Sequence, residues 1–329
     1  MPEKPYIPPY SVNDRIVNLV AEISERIGVI IIKNESTINP QLRRDNQIRS
    51  IHSSLAIENN TLSLEQVTDV IDGKRVLGAP NEIREVKNAY EAYNLLLTFN
   101  PFSIEDLLTA HMVLMADLTN EAGRFRSGGV GIFAGKKLVH MAPPANMVSD
   151  HMNNLLNWVK ATDTHPLIKS CVFHYEFEFI HPFADGNGRM GRMWQTLLLA
   201  NWKSLFAWLS VEELIRERQQ EYYDVLAMAD KAADSTVFIE FMLGVICDAL
   251  DELMRTEQVR EQVTAQVERL LTVLGNEVLS ARELMERLEL KHRPTFATNY
   301  LRPALNLGLI EMTIPFKPNS SRQKYRIIR

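Results

Sequence analysis

The chain has 329 residues, of which 46% are hydrophobic and 23% charged, with 14 Gly and 15 Pro. This composition is typical of two or three folded domains and excludes collagen-like, disordered and miniature disulfide-stapled proteins. Thirty-six Lys and Arg against 41 Asp and Glu give a net charge of −5, which argues against a protein that coats nucleic acid along its whole surface.

Cysteine usage and the N-terminus bear on the compartment. Cys171 and Cys247 lie in apolar surroundings without the spacing of a zinc site, which fits a reducing compartment. The first residues lack the charged-then-apolar order of a signal peptide. No apolar run approaches the roughly 20 residues that span a bilayer. We therefore expect a cytoplasmic protein.

Helical periodicity dominates the first 120 residues. Apolar residues recur at three-and-four spacing over five segments, at 16–31, 41–57, 64–71, 83–97 and 104–118. Ser63 with Gln66 predicts a capping box at the third segment, and Ser103 with Asp106 predicts a similar start for the fifth. A Gly-rich interruption at 130–141 predicts a short β-hairpin on this helical body.

More helices follow the predicted hairpin, at 147–160, 167–179, 189–202, 212–229 and 236–273. A composition break at Gly275-Asn276 predicts a new unit. Its two short helices, at 280–288 and 294–307, precede two alternating strands at 309–314 and 323–328. That order is typical of a winged helix-turn-helix.

The loop at 181–192, His-Pro-Phe-Ala-Asp-Gly-Asn-Gly-Arg-Met-Gly-Arg, carries most of the unusual residues. Gly186 and Gly188 let backbone N–H groups approach phosphate oxygens, and the following helix directs its positive end to the same place. Arg189 and Arg192, three residues apart, add two forked donors that suit the phosphates of a nucleotide. The loop is therefore predicted to bind an anion.

Two more residues of this loop suit catalysis. Asp185 offers one hard oxygen ligand, which is enough for Mg²⁺ when phosphates and water supply the rest. His181 has a pKa near neutrality and can accept a proton from an attacking hydroxyl, while Phe183 is expected to anchor the loop in the core. Taken singly, a histidine before proline is more often an ordinary loop residue, a Gly-Asn-Gly run is more often a turn, and paired arginines more often face solvent. The prediction therefore depends on the fixed spacing of all these residues together.

The loop matches, without a departure, the His-x-Phe-x-(Asp/Glu)-Gly-Asn-Gly-Arg-x-x-Arg signature of Fic-domain proteins. Segments 108–118, 122–126, 142–144 and 174–177 resemble the same domain, which extends over roughly 103–203. The resemblance implies a mostly α fold, a Fic-type helical bundle with a β-hairpin flap, followed here by a C-terminal winged helix-turn-helix.

The resemblance also implies a reaction. ATP would bind the loop, and a Ser, Thr or Tyr hydroxyl of a protein, including this one, would take AMP and release pyrophosphate. His181 would be the base, Asp185 the Mg²⁺ ligand, and Asn187 with both glycines the phosphate cradle. A kinase-like relative replaces residues of the glycine region, whereas this chain keeps Gly186 and Gly188. AMP transfer is therefore preferred to phosphorylation.

Other predicted contacts lie outside the loop. The hairpin at 130–141, beginning at Val130, matches the family's flap, whose edge can hold an extended target segment by strand addition; a plain surface hairpin is the alternative. Tyr222, Tyr223 and Asp230 lie where the family places residues near the nucleoside. Two tyrosines at helical spacing are more often core residues, and some relatives have Asn at the third position.

Ser54 and Glu58 share a helix face at i and i+4, and Asn59 or Asn60 can adopt the left-handed cap. A carboxylate in the last turn of a helix faces its negative end, which invites an arginine partner. In Fic relatives the pattern (Ser/Thr)-x-x-x-Glu-(Gly/Asn)-Asn is an inhibitory helix whose Glu pairs with the second motif arginine. The match implies autoinhibition through Arg192, and Glu58 could also position water to remove AMP.

The family comparison predicts four regions. They are an N-terminal helical region at 1–102 with the inhibitory helix at about 41–60, a catalytic core at 103–203, completing helices at 204–275 and a winged-helix module at 276–329.

The tail from residue 291 onward has eight Lys and Arg against Glu311 alone. One interpretation is DNA binding, with Thr295, Asn299 and Arg302 on the recognition helix. The other is a protein contact, which Pro303 favours because it should kink that helix. The rival function is thus a DNA-binding regulator with a vestigial or sensory Fic domain; a homodimer is also open.

Overall fold

The structure is a computed structural model that describes residues 6–34, 40–134, 137–318, 320 and 322–328. These residues divide into two compact units, Met1–Asp251 and Glu252–Arg329. The first is almost entirely helical. The second combines short helices with a small sheet, so the predicted mostly α fold is confirmed.

Unit 1 contains a helical bundle and one hairpin. Its helices are α1 Asp14–Asn34, α2 Pro40–Ile57, α3 Leu64–Ile71, α4 Pro80–Leu95, α5 Ile104–Leu114, α6 Val148–Ala161, α7 Pro166–Ile180, α8 Asn187–Trp202, α9 Val211–Glu217, α10 Gln219–Ala232 and the first part of α11 Thr236–Leu274. Its strands are β1 Gly131–Ala134 and β2 Lys137–Met141.

Local signals explain several helix starts. Ser63 caps α3 through a complete capping box with Gln66, and the Ser103 side chain accepts a hydrogen bond from the Asp106 backbone N–H at the start of α5. Pro80 and Pro166 occupy the first turns of α4 and α7, where their missing N–H has no helical partner to lose. The predicted starts of α3 and α5 are confirmed.

Helices α7 and α8 form the centre of unit 1. Nearly every residue of both is buried, including the large side chains of Phe173, Phe177 and Trp194. A helix that is apolar on all sides packs inside a larger core. The six-residue loop between these two helices is thus held at both ends by rigid elements.

The predicted hairpin is an antiparallel pair. Gly131 pairs with Met141 and Ala134 with Lys137, with a register irregularity between Ile132 and Phe133. Residues 135–136, inside the predicted flap, lie outside the described residues.

Unit 2 has the topology of a winged helix. After the end of α11 come β3 Leu279–Ser280, α12 Ala281–Arg287, α13 Arg293–Phe296, α14 Arg302–Asn306, β4 Ile310–Met312 and β5 Lys324–Ile327. Its three strands are ordered β3-β5-β4, so the last two strands form the wing beside the short first strand. Its own apolar core includes Leu270, Leu284, Phe296, Ala304 and Ile310.

Pro303 does not break the second helix of this motif. A π-helical turn, Ala297–Leu301, joins α13 to α14, and Pro303 lies in the first turn of α14. The wider turn accommodates a residue without an N–H, so helical backbone is continuous over 293–306. Pro303 was expected to kink this helix, and the structure places a π-helical turn directly before α14 with helical residues on both sides.

Among the described helices, none combines the length and apolar character that crossing a bilayer requires.

The division after Asp251 predicts how truncation acts. A chain ending at Asp251 should melt cooperatively, because unit 1 is a compact unit that ends at that residue. A chain ending at Gly275 would retain Val267, Leu270 and Leu274, which are at most 3% exposed in the full chain, without the rest of their core. The chain ending at Gly275 should therefore bind more of a hydrophobic dye than the chain ending at Asp251, because these apolar side chains become exposed.

Thermal melts and dye binding of the two truncated chains test this. Loss of the cooperative transition in the chain ending at Asp251 would show that later residues complete the core of unit 1. Equal dye binding by both chains would support the predicted boundary at 276.

Candidate active site

His181 caps α7 in a strained conformation. Its backbone is left-handed, with φ 49° and ψ 62°, and its N–H donates to the Phe177 carbonyl at 2.9 Å. Such a conformation costs roughly 1–2 kcal/mol for a residue with a Cβ, and it persists where surrounding contacts fix it. His181 Nδ1 lies 3.3 Å from the Glu178 carbonyl oxygen, which can only accept. Nδ1 therefore carries the proton, and Nε2 is the basic nitrogen.

The loop is closed from inside by Asn187. Its Oδ1 accepts from the Phe183 N–H and its Nδ2 donates to the Phe183 carbonyl, both at 2.8 Å. Phe183 is fully buried, as predicted, and stacks on His111 with ring centroids 3.6 Å apart. The side chain predicted to cradle phosphate is thus used to hold the loop's shape.

His111 supports the loop from α5. Its Nε2 donates to the Asp185 carbonyl at 3.0 Å, and its Nδ1 accepts from the Gly123 N–H at 2.9 Å. Burial lowers the pKa of His111 to about 4. A neutral ring can donate on one nitrogen and accept on the other, as these two contacts require.

Glycine suits two positions of the motif. Gly186 has φ +83°, and a Cβ there would lie 2.7 Å from the Met115 sulfur. A Cβ on Gly188 would overlap the carboxylate of Glu58. Gly186 is the N-cap of α8, so the first N–H groups of this buried 16-residue helix lie at the loop. This backbone is suited to an anion.

The end of α2 meets Arg192. The Arg192 guanidinium is 2% exposed; its Nε donates to the Ser54 hydroxyl at 3.1 Å, and one terminal nitrogen donates to the Ser54 carbonyl at 3.0 Å and to Glu58 Oε1 at 2.8 Å. Burial opposes ionisation of Glu58, but the charge and hydrogen bond of Arg192 outweigh it and lower the pKa of Glu58. Asn59 takes the left-handed cap at φ 70°.

Arg189, the other motif arginine, is also paired. It contacts Glu85 Oε1 at 3.3 Å and Asp185 Oδ1 at 3.0 Å, while its own Nε is buried and lacks a hydrogen-bond partner among the described residues. Asn60 donates to the other oxygen of Glu85 at 2.7 Å. Glu85 therefore links the residue after the α2 cap to the loop, a role that no motif indicated.

Asp185 fits one kind of cation. Its side chain is 59% exposed, and Oδ1 accepts from the Gly186 N–H at 2.6 Å. Within the described ranges, no three His, Cys, Asp or Glu side chains gather as a complete metal site. This exposed carboxylate, which is also paired with Arg189, offers one hard oxygen ligand beside the N-terminus of α8, and Mg²⁺ can take its remaining ligands from phosphate and water.

Arg126 connects the base of the hairpin to the loop. Its guanidinium donates to four carbonyl oxygens, those of His181 at 2.7 Å, Gly128 at 2.8 Å, Pro143 at 2.5 Å and Ile180 at 3.2 Å. The side chain has no carboxylate among these partners and is 3% exposed. Arg126 lies in the segment 122–126, whose resemblance to the family predicted no role for this side chain.

The predicted nucleoside contacts differ in their exposure. Tyr222 is 2% exposed and bonds His174 Nε2 at 3.0 Å, so it belongs to the core behind Arg192. Tyr223 is partly exposed, with its hydroxyl 3.4 Å from the Ile57 carbonyl next to Glu58. Asp230 lies two turns farther along α10. Val130 is half-buried at the start of the hairpin, where its carbonyl accepts from the Ala142 N–H.

Comparison with known proteins identifies the family. Residues 101–199 match the model of the Fic/DOC family, and residues 265–328 match the model described as the C-terminal domain of Filamentation induced by cAMP protein Fic-like. A crystal structure of a Fic family protein from Desulfovibrio desulfuricans G20 is 57% identical, covers 98% of both chains and has a TM-score of 0.77. The chain belongs to the Fic family.

Curated Fic relatives are more distant. The protein adenylyltransferase Fic of Aedes aegypti is 28% identical over 235 residues, which are 67% of this chain and 45% of that protein. C. elegans Fic-1 (aa134–508) is 21% identical with a TM-score of 0.60, covering 75% of this chain and 72% of that one, which is a likeness of fold. The chain spans about half the length of the curated Fic relatives it matches.

The grip of Arg126 on four carbonyls of this Fic core predicts a stability effect. Arg126→Lys keeps the positive charge but removes the planar guanidinium with its several N–H donors. Several buried carbonyl oxygens therefore lose their hydrogen-bond donor. We expect a loss of roughly 2–4 kcal/mol in the free energy of unfolding.

Urea denaturation measures this loss. Arg124→Lys, at an exposed position two residues away, is the matched control and should change the free energy of unfolding by less than about 0.5 kcal/mol. Equal effects of the two substitutions would contradict the role of Arg126.

Proposed function

We propose that the protein is an autoinhibited protein adenylyltransferase, which transfers AMP from ATP to a Ser, Thr or Tyr hydroxyl of a protein, including its own. The observation that carries this proposal is the arrangement of one loop. His181 stands at its start with Nε2 as the basic nitrogen, the N-terminus of α8 lies at its end, and Arg192 lies in the second turn of that helix. The curated relatives named protein adenylyltransferase Fic support the same reaction.

The proposed reaction uses this arrangement. His181 Nε2 takes the proton of the attacking hydroxyl, whose oxygen bonds to the α-phosphorus as the bond to pyrophosphate breaks. The backbone around Gly186 and Gly188 holds the phosphates against the helix N-terminus, so catalysis consists chiefly of positioning and charge stabilisation. Mg²⁺ held by Asp185 would supply further positive charge to the phosphates.

Autoinhibition is supported by the contacts of Glu58. Its carboxylate occupies the space beside Gly188 that a phosphate needs, and it holds a guanidinium suited to the γ-phosphate. ATP must therefore displace Glu58 or bind with its triphosphate misaligned. Because Ser54 contacts the same arginine twice, displacement of Glu58 alone leaves Arg192 anchored and ready for phosphate.

Two extensions rest on the same site. The two-stranded hairpin has an open edge in the described residues, which suits docking of an extended target segment by strand addition. Glu58 lies next to the loop that would hold a modified hydroxyl, so it could orient water to remove AMP. Loss of AMP removal in Glu58→Gly would support that second reaction.

A second function, DNA binding by unit 2, is favoured by the continuous helix at 293–306. This helix contains no Asp or Glu, and Thr295, Thr298 and Arg302 are exposed on it while Phe296 and Tyr300 face the core. Arg302 forms no ion pair with a described residue, whereas Arg287 is paired with Glu277 at 2.7 Å and Arg326 with Glu311 at 2.6 Å. Unpaired cations on a recognition helix suit phosphate and guanine contacts.

The first prediction of this proposal concerns removal of the inhibitory contact between Glu58 and Arg192. Glu58→Gly should raise the initial rate of AMP transfer by at least about tenfold, because a charge-assisted hydrogen bond that competes with ATP contributes roughly 1.5–3 kcal/mol. Glu58→Ala should do the same, which separates loss of the carboxylate from gain of backbone freedom. Mass spectrometry of the protein and a host lysate with Mg²⁺ and ATP measures the rate.

Matched variants define the mechanism. Ser54→Ala should raise the rate of AMP transfer less than Glu58→Gly does. Arg192→Ala should not raise it, because this substitution removes both the partner of Glu58 and the guanidinium that would bind the γ-phosphate. His181→Ala in the Glu58→Gly background should abolish transfer while ATP affinity stays nearly intact. A Glu58→Gly rate at or below that of the wild type would refute the inhibitory role.

The prediction for DNA concerns Arg302. The full chain should bind mixed-sequence duplex DNA with an affinity that falls steeply between about 50 and 200 mM salt. Arg302→Ala should weaken binding about tenfold, and the ion-paired Arg287→Ala should have little effect. Fluorescence anisotropy measures both. Absence of salt-dependent binding, or equal effects of the two substitutions, would favour a protein partner for unit 2.

A further inference from the structure

Glu178 is a buried carboxyl group that the mechanism above does not use. It lies on α7, three residues before His181, and its side chain is 10% exposed. Oε2 is 4.0 Å from His181 Nδ1, and Oε1 is 3.9 Å from His174 Nε2. Oε1 is buried and has no hydrogen-bond partner among the described residues. A buried carboxyl oxygen without a donor is costly, so its retention requires a reason.

The site is built to leave room for this group. A Cβ on Gly191 would lie 2.7 Å from Glu178 Oε1, so the glycine before Arg192 makes space for the carboxyl. His174 does not donate to it, because Nδ1 is bound to Gln195 Oε1 and Nε2 to the Tyr222 hydroxyl. Burial lowers the pKa of His174 to about 3, so this ring is neutral.

The charges around Glu178 come from four elements. Arg192 on α8 favours its ionised form, Glu58 after α2 opposes it, and the neutral Tyr222 on α10 and His174 on α7 complete the enclosure. Burial raises the pKa of Glu178 to about 7, and Arg192 and Glu58 act in opposite directions on it. The carboxyl is therefore neutral below that pH and anionic above it, in the range where an imidazole also titrates.

Resting on the proposed AMP transfer, we propose that Glu178 is a positioning residue that acts through His181, its carboxylate stabilising the imidazolium that forms when Nε2 takes the hydroxyl proton. The hydroxyl oxygen keeps the electron pair of its O–H bond, uses a pair to bond the α-phosphorus, and pyrophosphate leaves with the electrons of the broken P–O bond. Glu178 gains and loses no atom. Its backbone carbonyl fixes the tautomer of His181, and its side chain supplies the charge.

Glu178→Gln separates these two contributions, because it removes the negative charge and keeps the backbone carbonyl and the side-chain shape. The pKa of His181 should fall by about one unit, since an anion about 4 Å from an imidazolium stabilises its charged form. NMR titration of histidine-labelled full-length protein measures this. Comparison with His181→Ala assigns the resonance among the eight histidines.

Kinetics in the Glu58→Gly background give the second readout. Adding Glu178→Gln should lower kcat about tenfold at neutral pH, leave KM for ATP within about twofold, and shift the acid limb of the pH profile to lower pH. Glu178→Asp, which keeps the charge, should restore part of the rate. Glu176→Gln is the matched control, because Glu176 is also buried on α7 but is hydrogen-bonded to Tyr6 at 2.5 Å.

An unchanged pKa of His181 in Glu178→Gln would overturn the inference, and so would a fall in kcat without a shift of the pH profile, which is what a purely structural role produces. Failure of the proposed function is distinguishable. If the pKa of His181 falls but Glu58→Gly transfers no AMP to any protein, the coupling of Glu178 to His181 stands and the adenylyltransferase proposal fails.

Discussion

The buried guanidinium of Arg192 is the constraint around which the rest of the site is arranged. A cation that is 2% exposed must be matched by acceptors, and the C-terminal end of α2 supplies them through Ser54 and, one residue past the helix, Glu58. This requirement ties α2 to α8 and places a carboxylate against Gly188. One side chain therefore fixes how the end of α2 meets the first turns of α8.

Much of this arrangement could be predicted from the sequence, because its residues lie at short fixed spacings. His181, Phe183 and Gly186 are set by the geometry of one loop. Glu58 could be paired with Arg192 only through the family pattern, since 134 residues separate them. The helix starts at Ser63 and Ser103 were predictable for a similar reason, because capping depends on three neighbouring residues.

The residues that sequence reasoning missed act across long separations in the chain or through the backbone. Glu85 meets Arg189 from 104 positions away, and nothing in its own surroundings distinguishes it from a solvated helix residue. In the sequence, Glu178 is one polar residue in an apolar helix, and only the structure shows that its carboxyl group is buried beside His181 and Arg192. The π-helical turn before Pro303 was not predicted, because no local pattern specifies it.

Arg126 has a consequence for how such a protein can diversify. All four acceptors of its guanidinium are main-chain oxygens, and every amino acid provides one. Side chains at Gly128, Pro143 and Ile180 can therefore be exchanged without removing an acceptor from the anchor that steadies the backbone of His181. Sequence change in the segments on either side of the hairpin therefore leaves the support of the His181 backbone in place.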